Sequence, residues 1–473
     1  MIILPNITQV LEENVDYYRT MSDKYKSHID RMICSTIQGK NKHNQIKRVK
    51  HIGCSSLSSK KLNDTFIEYG MTYKDVIPHF YDIVDHTYNN KHPNKKKRHT
   101  KYYKLKDSII ECLIRELQHQ PTILIDNKTK KKIHQLPKNS IRKTYTNKNS
   151  GVTKRCKSII SMDTWVKGNE QLIDDYISEL ESVKDCVSVL VKPIVQLYQL
   201  ELCSIKSLMN NNLNKGYLPQ IYQEQDCGRL GGKGFHLLNI KKKIRFIFFG
   251  NMNLYDYDIS NCHYSLFSNL SKQHGYYTDG IDYYLRNKKV VRKTLSDDLE
   301  LTIKQVKVGL ISLMYGNSLK ISEFNSLWDE FQGEEPLRKF FEHKIIKKLI
   351  EDIKEGTKLI VGKTPVTKQN QYGMGIKNVV GKTRFLYDED GLVSDSQLLS
   401  HLLSGWERKL MEYISSILDE KMIGMYYDGW ISKEVDTEYI IGKIKDKFDF
   451  DISIDSELII PPKLSDLGIS IIT

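Results

Sequence analysis

The stretch Asn253-Leu-Tyr-Asp-Tyr-Asp-Ile-Ser260 decides the fold, because it combines a strand pattern with two carboxylates. Its hydrophobic residues predict a β-strand from Leu254 to Ile259. Side chains alternate along a strand, so Asp256 and Asp258 share one face. An acidic face on an otherwise apolar strand is costly to bury unless the charges meet a cation. The stretch indicates either a metal site or, as the ordinary alternative, a turn capped by Asp258.

A further carboxylate lies in Met425-Tyr-Tyr-Asp428-Gly-Trp430, between hydrophobic flanks. Met422 to Trp430 predicts a short strand-like run with a turn at Asp428-Gly429, and Asp-Gly is a common hairpin pair. On these strands alone, a structural turn is the better explanation of Asp428. Two such carboxylates can also bridge two hard cations about 4 Å apart.

A helix lies between the two carboxylates in sequence. It is predicted from about Asp297 to Met314, with Ser296 or Asp297 as N-cap and Glu300 at the capping-box spacing. One face of this helix presents two cations followed by an apolar and an aromatic residue: Lys304, Lys307, Ile311 and Tyr315, ending at Gly316. This face suits a triphosphate and then a base and sugar, although such a pattern alone is more often an ordinary amphipathic helix.

The rest of the chain mixes helices and strands, which favours an α+β fold. The first half is predicted to be mostly helical and basic, with a boundary or linker in the loop at 126–155. A long amphipathic helix is predicted from Asp163 to about Met209, and further helices at 336–354 and 395–419. Ile244 to Phe249 predicts a strand that ends at Gly250.

Charge and cysteine usage narrow the class of protein. The formal net charge of +14 favours a polyanionic partner, with dense basic runs at 95–98, 128–132 and 241–243. Eight cysteines without a CxxC pair argue against a disulfide scaffold and for a reducing compartment. No run is apolar enough to span a membrane. We therefore expect an intracellular protein, in the cytoplasm, the nucleus or a viral factory, that is not secreted.

The order of these pieces resembles the palm of family A DNA polymerases. Lys307-xxx-Ile311-Ser312-xx-Tyr315-Gly316 is similar to motif B, which the single-subunit phage RNA polymerases share. Asp258-Ile-Ser260 resembles motif A, and Tyr427-Asp428 stands in the place of the His-Asp of motif C. Lys307 follows Asp258 by 49 residues and Asp428 follows Lys307 by 121, close to the DNA polymerases of this family and unlike the phage enzymes.

Smaller matches extend the resemblance to about residues 190–435. Cys227-Gly-Arg229-Leu is similar to a Thr-Gly-Arg-Leu segment whose Arg contacts the primer–template. Arg245 lies in the approach to motif A, and Arg384 closes a segment similar to a basic hairpin after the fingers. Gln397 stands where the family has a helix Gln that contacts the minor groove.

The chain also departs from the family pattern. The motif A Glu that excludes ribonucleotides is replaced by His263, and the acidic residue after the motif C Asp is Gly429. The motif B Arg is Ile303, for which Lys304 is a partial substitute. This divergent pattern is reminiscent of the transposon and virus polymerases called TV-Pol.

The resemblance implies a right-hand polymerase: an antiparallel-sheet palm with helical fingers and thumb, plus the basic, mostly helical N-terminal region. Residues 1–150 would be a basic domain of unknown role, 161–245 a thumb-like region, and 246–473 palm and fingers, with the fingers at about 270–390. Two Mg²⁺ ions, or Mn²⁺, would be held by Asp258, Asp428 and the Ile259 carbonyl, with Asp256 as the alternative to Asp258.

The same resemblance assigns the remaining roles. The partners would be a DNA primer–template, dNTPs and a separate helicase, without a membrane. Lys307, Lys304, Ile311, Tyr315 and His263 would bind the nucleotide; Arg229, Arg245, Arg384 and Gln397 would bind the primer–template. The open alternatives are a related RNA polymerase or primase-like enzyme, a catalytically inactive nucleic-acid-binding replication protein, and a metal-dependent nuclease.

Overall fold

The structure is a computed structural model. It describes residues 165–471 except 211–215, 234–235, 324, 369–372 and 389–390. Before residue 165 it describes 2–3, 5–23, 25–26, 29–30, 32–33, 54–58, 73–89, 98–121, 124–126, 132–133, 143–146 and 153–156. The described residues form a mixed helix and sheet fold.

The chain divides into two compact units. Unit 1 comprises Met1–Gln223, Gly231–Tyr255 and Leu458–Thr473, and unit 2 comprises Glu224–Leu230 and Asp256–Glu457. The domain boundaries that the sequence suggested, at about 150, 161 and 246, remain predictions.

Unit 1 contains helices and small sheets. Its helices are α1 (Pro5–Asn14), α2 (Asp16–Arg19), α3 (Tyr73–Val76), α4 (Asp107–His119), α5 (Glu170–Val183), α6 (Lys192–Met209) and α7 (Lys242–Phe249). The first six strands among its described residues are β1 (Ile2–Ile3), β2 (Cys54–Ser58), β3 (Tyr81–Asn89), β4 (Arg98–Leu105), β5 (Leu124–Asp126) and β6 (Lys132–Ile133). These strands form two sheets, with the orders β1-β5-β6 and β2-β4-β3. The pairs β7 (Lys143–Thr146) with β8 (Thr153–Cys156), β9 (Trp165–Lys167) with β10 (Tyr217–Pro219), and β11 (Ile221–Glu224) with β12 (Leu230–Lys233) follow, the last reaching into unit 2.

Three predictions for unit 1 were wrong in detail: the mostly helical character of region 1–150, the single long helix from Asp163, and the strand at Ile244–Phe249. The region 1–150 is not mostly helical where the structure describes it, because Tyr81–Asn89 and Arg98–Leu105 pair as strands. The long helix from Asp163 is two helices, Glu170–Val183 and Lys192–Met209, and the turn between them precedes Pro193 at the start of the second.

Ile244–Phe249 is helix α7, not a strand. Ile244, Ile247 and Phe248 are fully buried and recur at helical spacing, and Phe246 and Phe249 are buried as well. A short apolar run that is buried all round has no period that separates helix from strand. The neighbouring basic run has partners within unit 1, since Lys241 pairs with buried Glu201 and Lys243 donates to the Asp466 carbonyl.

The basic residues 95–97 and 128–131 lie outside the described residues. Within the part of the chain that the structure describes, no helix has the length and apolar character to cross a membrane.

Unit 2 is built on a four-stranded sheet with helices. Its helices are α8 (Cys262–Gln273), α9 (Asp279–Arg286), α10 (Lys288–Asp298), α11 (Ile303–Met314), α12 (Trp328–Phe331), α13 (Glu334–Glu342), α14 (Lys344–Lys363), α15 (Asp395–Leu418) and α16 (Thr437–Phe448). Its strands are β13 (Tyr255–Ile259), β14 (Val366–Lys368), β15 (Met374–Lys377), β16 (Thr383–Phe385), β17 (Tyr387–Asp388), β18 (Gly391–Leu392), β19 (Met422–Tyr426), β20 (Gly429–Ser432) and β21 (Ile454–Leu458).

The central sheet of unit 2 has the order β19-β20-β13-β21. The strand predicted at 254–259 is confirmed as β13, and Met422 to Trp430 is confirmed as the hairpin β19-β20. Its turn is Tyr427-Asp428, one residue earlier than the predicted Asp428-Gly429, because Gly429 already pairs with Tyr426 as the first residue of β20. Tyr257 and Trp430 are fully buried and stack with ring centroids 5.1 Å apart, which joins β13 to β20.

The helix predicted from Asp297 begins later than expected. Helix α10 ends at Asp298, and α11 begins after Thr302, whose side chain forms a capping box with Gln305. Glu300 adopts a positive φ of 54°, so it breaks the helix instead of capping it. Asp297–Glu300 and Thr302–Gln305 are two capping-box spacings five residues apart in sequence, and Asp and Thr both favour the N-cap position. The helix predicted at 336–354 is the pair α13 and α14, and that at 395–419 is confirmed as α15.

Candidate active site

Strand β13 and the β19-β20 turn bring the two predicted metal carboxylates to neighbouring positions. The Ile259 amide, one residue after Asp258, donates to the Asp428 backbone carbonyl at 2.8 Å. A side chain at Gly429 would meet the Tyr257 carbonyl at 2.6 Å, so only glycine lets the turn approach the strand this closely. Tyr257 and Ile259 are buried while Asp258 is exposed and Asp256 half-buried, as the alternation along β13 requires.

The Asp428 carboxylate sits in a poorly hydrated, acidic environment. Burial raises its pKa, and the charge of Glu407 raises it further. Cys262 at the start of α8 is buried, and its pKa is raised well above the usual value, first by burial and then by the charges of Asp428, Glu407 and Asp258. Asp258 and Asp428 therefore act on the same buried point of the site. Concentrated carboxylates of this kind would be stabilised by a cation.

Helix α11 presents the predicted nucleotide face to solvent. Ile311 and Tyr315 are 55% and 42% exposed, Lys304 and Lys307 are exposed, and Val306, Leu310, Leu313 and Met314 on the other side are buried. The helix is therefore amphipathic with a free face that carries the four predicted residues. Gly316 ends it with a φ of 73°, and a side chain there would overlap Ser396 on α15.

His263 and Tyr315 are hydrogen-bonded to each other. The Tyr315 hydroxyl lies 2.9 Å from His263 Nδ1, and the rings meet edge to face with centroids 5.3 Å apart. His263 is only 8% exposed. Burial raises the pKa of Tyr315 to about 12, so its hydroxyl stays protonated at neutral pH. The structure thus joins two residues that lie 52 positions apart in sequence.

Arg229 points inward rather than into solvent. Its Nε donates to Glu407 Oε1 at 2.5 Å and its Nη2 donates to Glu407 Oε2, and the guanidinium lies 4.1 Å from the centroid of the Tyr427 ring. Burial by itself would lower the Arg229 pKa, but the hydrogen bonds and charge of Glu407 raise it. The predicted contact of Arg229 with a primer–template remains a prediction, and the side chain is 24% exposed.

Glu407 is the functional-site residue that the sequence analysis missed. It lies on α15, and its Oε2 also contacts His263 Nε2 at 2.9 Å. Burial would raise its pKa, but the hydrogen bonds from His263 and Arg229 outweigh burial and hold the pKa below its usual value. One signal could have found it: Glu407 interrupts the buried helical stripe of Leu399, Leu403, Leu410 and Ile414. A charge in such a stripe is costly unless it is paired.

The other predicted primer–template residues lie on three different elements. Arg245 belongs to unit 1, where its Nη1 donates to the Leu237 carbonyl at 3.1 Å. Arg384 lies on β16 in unit 2. Gln397 is exposed on the first turn of α15, where its side-chain oxygen accepts from the Ser394 amide at 3.0 Å. Their contacts with nucleic acid remain predictions.

The donor set of the site fits a hard divalent cation. Carboxylate oxygens are the ligands that Mg²⁺ prefers, and Asp258 and Asp428 supply them from adjoining elements. Ligand atoms of Cys262, Glu407 and Asp428 also lie within 4.8 Å of one another. The Cys262 thiol, with its raised pKa, stays protonated, and Glu407 is already paired with Arg229. Asp428 is thus the free carboxylate of this group, and Asp258 as its partner in metal binding remains a prediction.

Comparisons with known proteins differ between sequence and structure. No protein-family model matches the sequence, and no curated protein matches it. Among solved structures, the chain is similar to the POL domain of Pol1 from M. smegmatis in complex with DNA primer-template and dNTP. The TM-score is 0.41 with 11% identity, over 62% of this chain and 67% of that one. At this identity the likeness concerns the fold alone.

Proposed function

We propose that this chain is a template-directed DNA polymerase that transfers nucleotides from dNTPs to a primer 3′-hydroxyl. The observation that carries the proposal is a convergence within unit 2. The segment that runs from β13 into α8 meets the β19-β20 turn through the Ile259–Asp428 hydrogen bond and the end of α11 through the Tyr315–His263 hydrogen bond. These are the three segments whose order in the sequence resembles polymerase motifs A, B and C.

Asp258 and Asp428, with the Ile259 carbonyl, would hold Mg²⁺ or Mn²⁺ in this proposal. The bound ions would activate the primer 3′-hydroxyl and stabilise the leaving pyrophosphate. Asp258, rather than Asp256, is favoured because it directly precedes Ile259, whose amide donates to the Asp428 carbonyl.

The exposed face of α11 would hold the incoming nucleotide. Lys307, helped by Lys304, supplies positive charge for the triphosphate, and Ile311 and Tyr315 supply an apolar and aromatic surface for the base and sugar. Catalysis is then mainly a matter of positioning and charge stabilisation, as phosphoryl transfer generally requires. Arg229, Arg245, Arg384 and Gln397 remain the proposed contacts with the primer–template.

A related RNA polymerase is the second candidate, and one residue favours it. His263 stands where the DNA-making relatives have the Glu that excludes ribose. An imidazole replaces that carboxylate here, and both of its nitrogens are hydrogen-bonded, to Glu407 and to Tyr315. The Glu that excludes ribose in those relatives is therefore absent from this position.

Primer extension on a DNA template tests the proposal. The full chain is incubated with Mg²⁺ and either dNTPs or rNTPs, and products are resolved at single-nucleotide length. We expect templated extension with dNTPs at a higher kcat/KM than with rNTPs. A preference for rNTPs would assign the RNA-polymerase function instead.

Two other results would overturn the proposal. Binding of the primer–template without extension by either nucleotide would leave a non-catalytic replication protein. Metal-dependent shortening of the primer in the absence of nucleotides, with no extension, would assign a nuclease.

A further inference from the structure

Glu407 is a buried carboxylate that the polymerase resemblance does not assign. Its side chain is 1% exposed, and its oxygens face Arg229 and His263. A side chain so enclosed cannot touch a nucleotide or DNA. Apart from its charge, which also acts on Asp428, any influence of Glu407 on the reaction passes through the residues that it contacts.

With a neutral His263, the hydrogen bonds around Glu407 allow one consistent placement of protons. Arg229 is always charged and donates to both carboxylate oxygens, so Glu407 is ionised and only accepts. His263 must therefore donate from Nε2. In a neutral imidazole Nδ1 is then an acceptor, and the Tyr315 hydroxyl at 2.9 Å donates to it.

Tyr315 depends on this hydrogen bond for its position. It follows the last residue of α11 and precedes Gly316, which has a positive φ. At 42% exposure its ring is only partly enclosed by packing. The bond to His263 therefore limits how the ring turns, and His263 is itself oriented by Glu407.

We infer that Glu407 is a positioning residue that acts through His263 and Tyr315 to set the choice between deoxyribose and ribose. This inference rests on the proposed polymerase function. The DNA-making relatives have a carboxylate at the position of His263; this chain supplies one from a helix 144 residues later, with the imidazole placed in between.

Two substitutions of Glu407 distinguish its role as the hydrogen-bond acceptor for His263 from its role in the ion pair with Arg229. Glu407→Leu removes the acceptor for both His263 and Arg229. Glu407→Gln can keep an amide oxygen at the Oε2 position, which accepts from His263 and from Arg229 Nη2, while its NH₂ group faces Arg229 Nε. The Gln variant thus weakens the ion pair but keeps the contact that orients His263.

The first measurement is the ratio of kcat/KM for dNTP to that for the matching rNTP in single-nucleotide extension. For Glu407→Leu we expect this ratio to fall about tenfold, because a freed imidazole and phenol exclude the 2′-hydroxyl less well. For Glu407→Gln it should stay within about twofold of wild type. In a His263→Gly background, Glu407→Leu should cause no further fall.

Glu412 on the same helix provides the control. Its side chain is also buried and pairs with Arg408 at 2.6 Å, so Glu412→Leu breaks a comparable ion pair that does not contact His263. We expect Glu412→Leu to lower stability and leave the sugar ratio unchanged. An equal fall in both Leu variants would mean general loosening and would overturn the inference.

A second measurement does not need activity. In protein labelled with ¹⁵N at histidine, identified by difference from His263→Gly, the wild-type chemical shifts should show the proton on Nε2 of His263. In Glu407→Leu that preference should be lost. A proton on Nδ1 in the wild type, or an unchanged sugar ratio in Glu407→Leu, would overturn the inference while leaving the polymerase proposal intact. A wild-type chain that extends no primer would overturn both the proposed function and the role in sugar choice, and the ¹⁵N shifts would still decide whether Glu407 orients His263.

Discussion

The Arg229–Glu407 ion pair gives a stability prediction whose size follows from burial. Glu407 is 1% exposed and Arg229 is 24% exposed. Arg229→Met leaves the Glu407 carboxylate buried, with His263 as its remaining donor. Removing one partner of a buried ion pair is strongly destabilising, and because this donor remains we expect the free energy of unfolding to fall by only about 3 kcal/mol. Glu407→Leu leaves a guanidinium that can reach water, so it should cost only about 1.5 kcal/mol.

The double variant Arg229→Met/Glu407→Leu carries the sharper expectation. It leaves no uncompensated charge, so it should cost about 2 kcal/mol rather than the sum of about 4.5, and should be more stable than Arg229→Met alone. The assay is urea unfolding of the full chain followed by tryptophan fluorescence. Trp328, Trp406 and Trp430 lie in unit 2 and report on its transition, while Trp165 lies in unit 1.

The control for this cycle is an exposed pair of the same residue types. Arg338 and Glu334 on α13 are 44% and 57% exposed, so Arg338→Met should cost no more than about 0.5 kcal/mol. The reasoning is refuted if the two single costs at Arg229 and Glu407 simply add in the double variant. It is also refuted if Arg229→Met is no worse than the exposed control.

Three further predictions concern the nucleotide site. Lys307→Ala should raise KM and lower kcat for dNTPs, because it removes a cation that contacts the triphosphate in both the ground state and the transition state. Unchanged nucleotide kinetics would mean that the α11 face is an ordinary exposed helix surface. His263→Gly should raise ribonucleotide incorporation with little loss for deoxynucleotides, and an unchanged dNTP/rNTP ratio of kcat/KM would contradict a role in sugar choice. Gly316→Ala should lower the free energy of unfolding in urea by more than about 1 kcal/mol, because Gly316 has a positive φ and an added side chain would overlap Ser396. Gly362→Ala is the control: it lies at an open helical position, so this variant should be as stable as wild type or more stable.

The elements that the sequence predicted well are those with a clear period. The alternation in Tyr255–Ile259 was sufficient to place β13 and to put both aspartates on one face. The bounds predicted for helix α15 were right within a residue; in the structure Ser394 and Gln397 form a capping box at its start, and its apolar stripe is long. At 422–430 the hydrophobic flanks and the turn before Gly429 together specified a hairpin.

The elements that were missed depend on contacts that no local pattern contains. In Ile244–Phe249 every residue except Arg245 is buried. The run therefore has no alternation of apolar and polar residues that would distinguish a strand from a helix. The environment of Glu407 is set by partners 178 and 144 residues away, Arg229 and His263. The interrupted stripe on α15 marks Glu407 as unusual, but the identity of its partners follows only from the packing of α15 within unit 2.

The central claim is that Asp258 and Asp428 form one catalytic site, and alanine variants in primer extension test it most directly. Asp258→Ala and Asp428→Ala should each lower extension by at least about 10³-fold, since each removes a metal ligand. Primer–template affinity by fluorescence anisotropy should be nearly unchanged, because phosphate contacts supply most of it. Asp446→Ala, which removes an exposed carboxylate on α16, should extend like wild type. If Asp256→Ala is inactive and Asp258→Ala is active, the metal ligand on β13 is Asp256 instead of Asp258. Near wild-type extension by all three variants, Asp258→Ala, Asp256→Ala and Asp428→Ala, would contradict the polymerase site altogether.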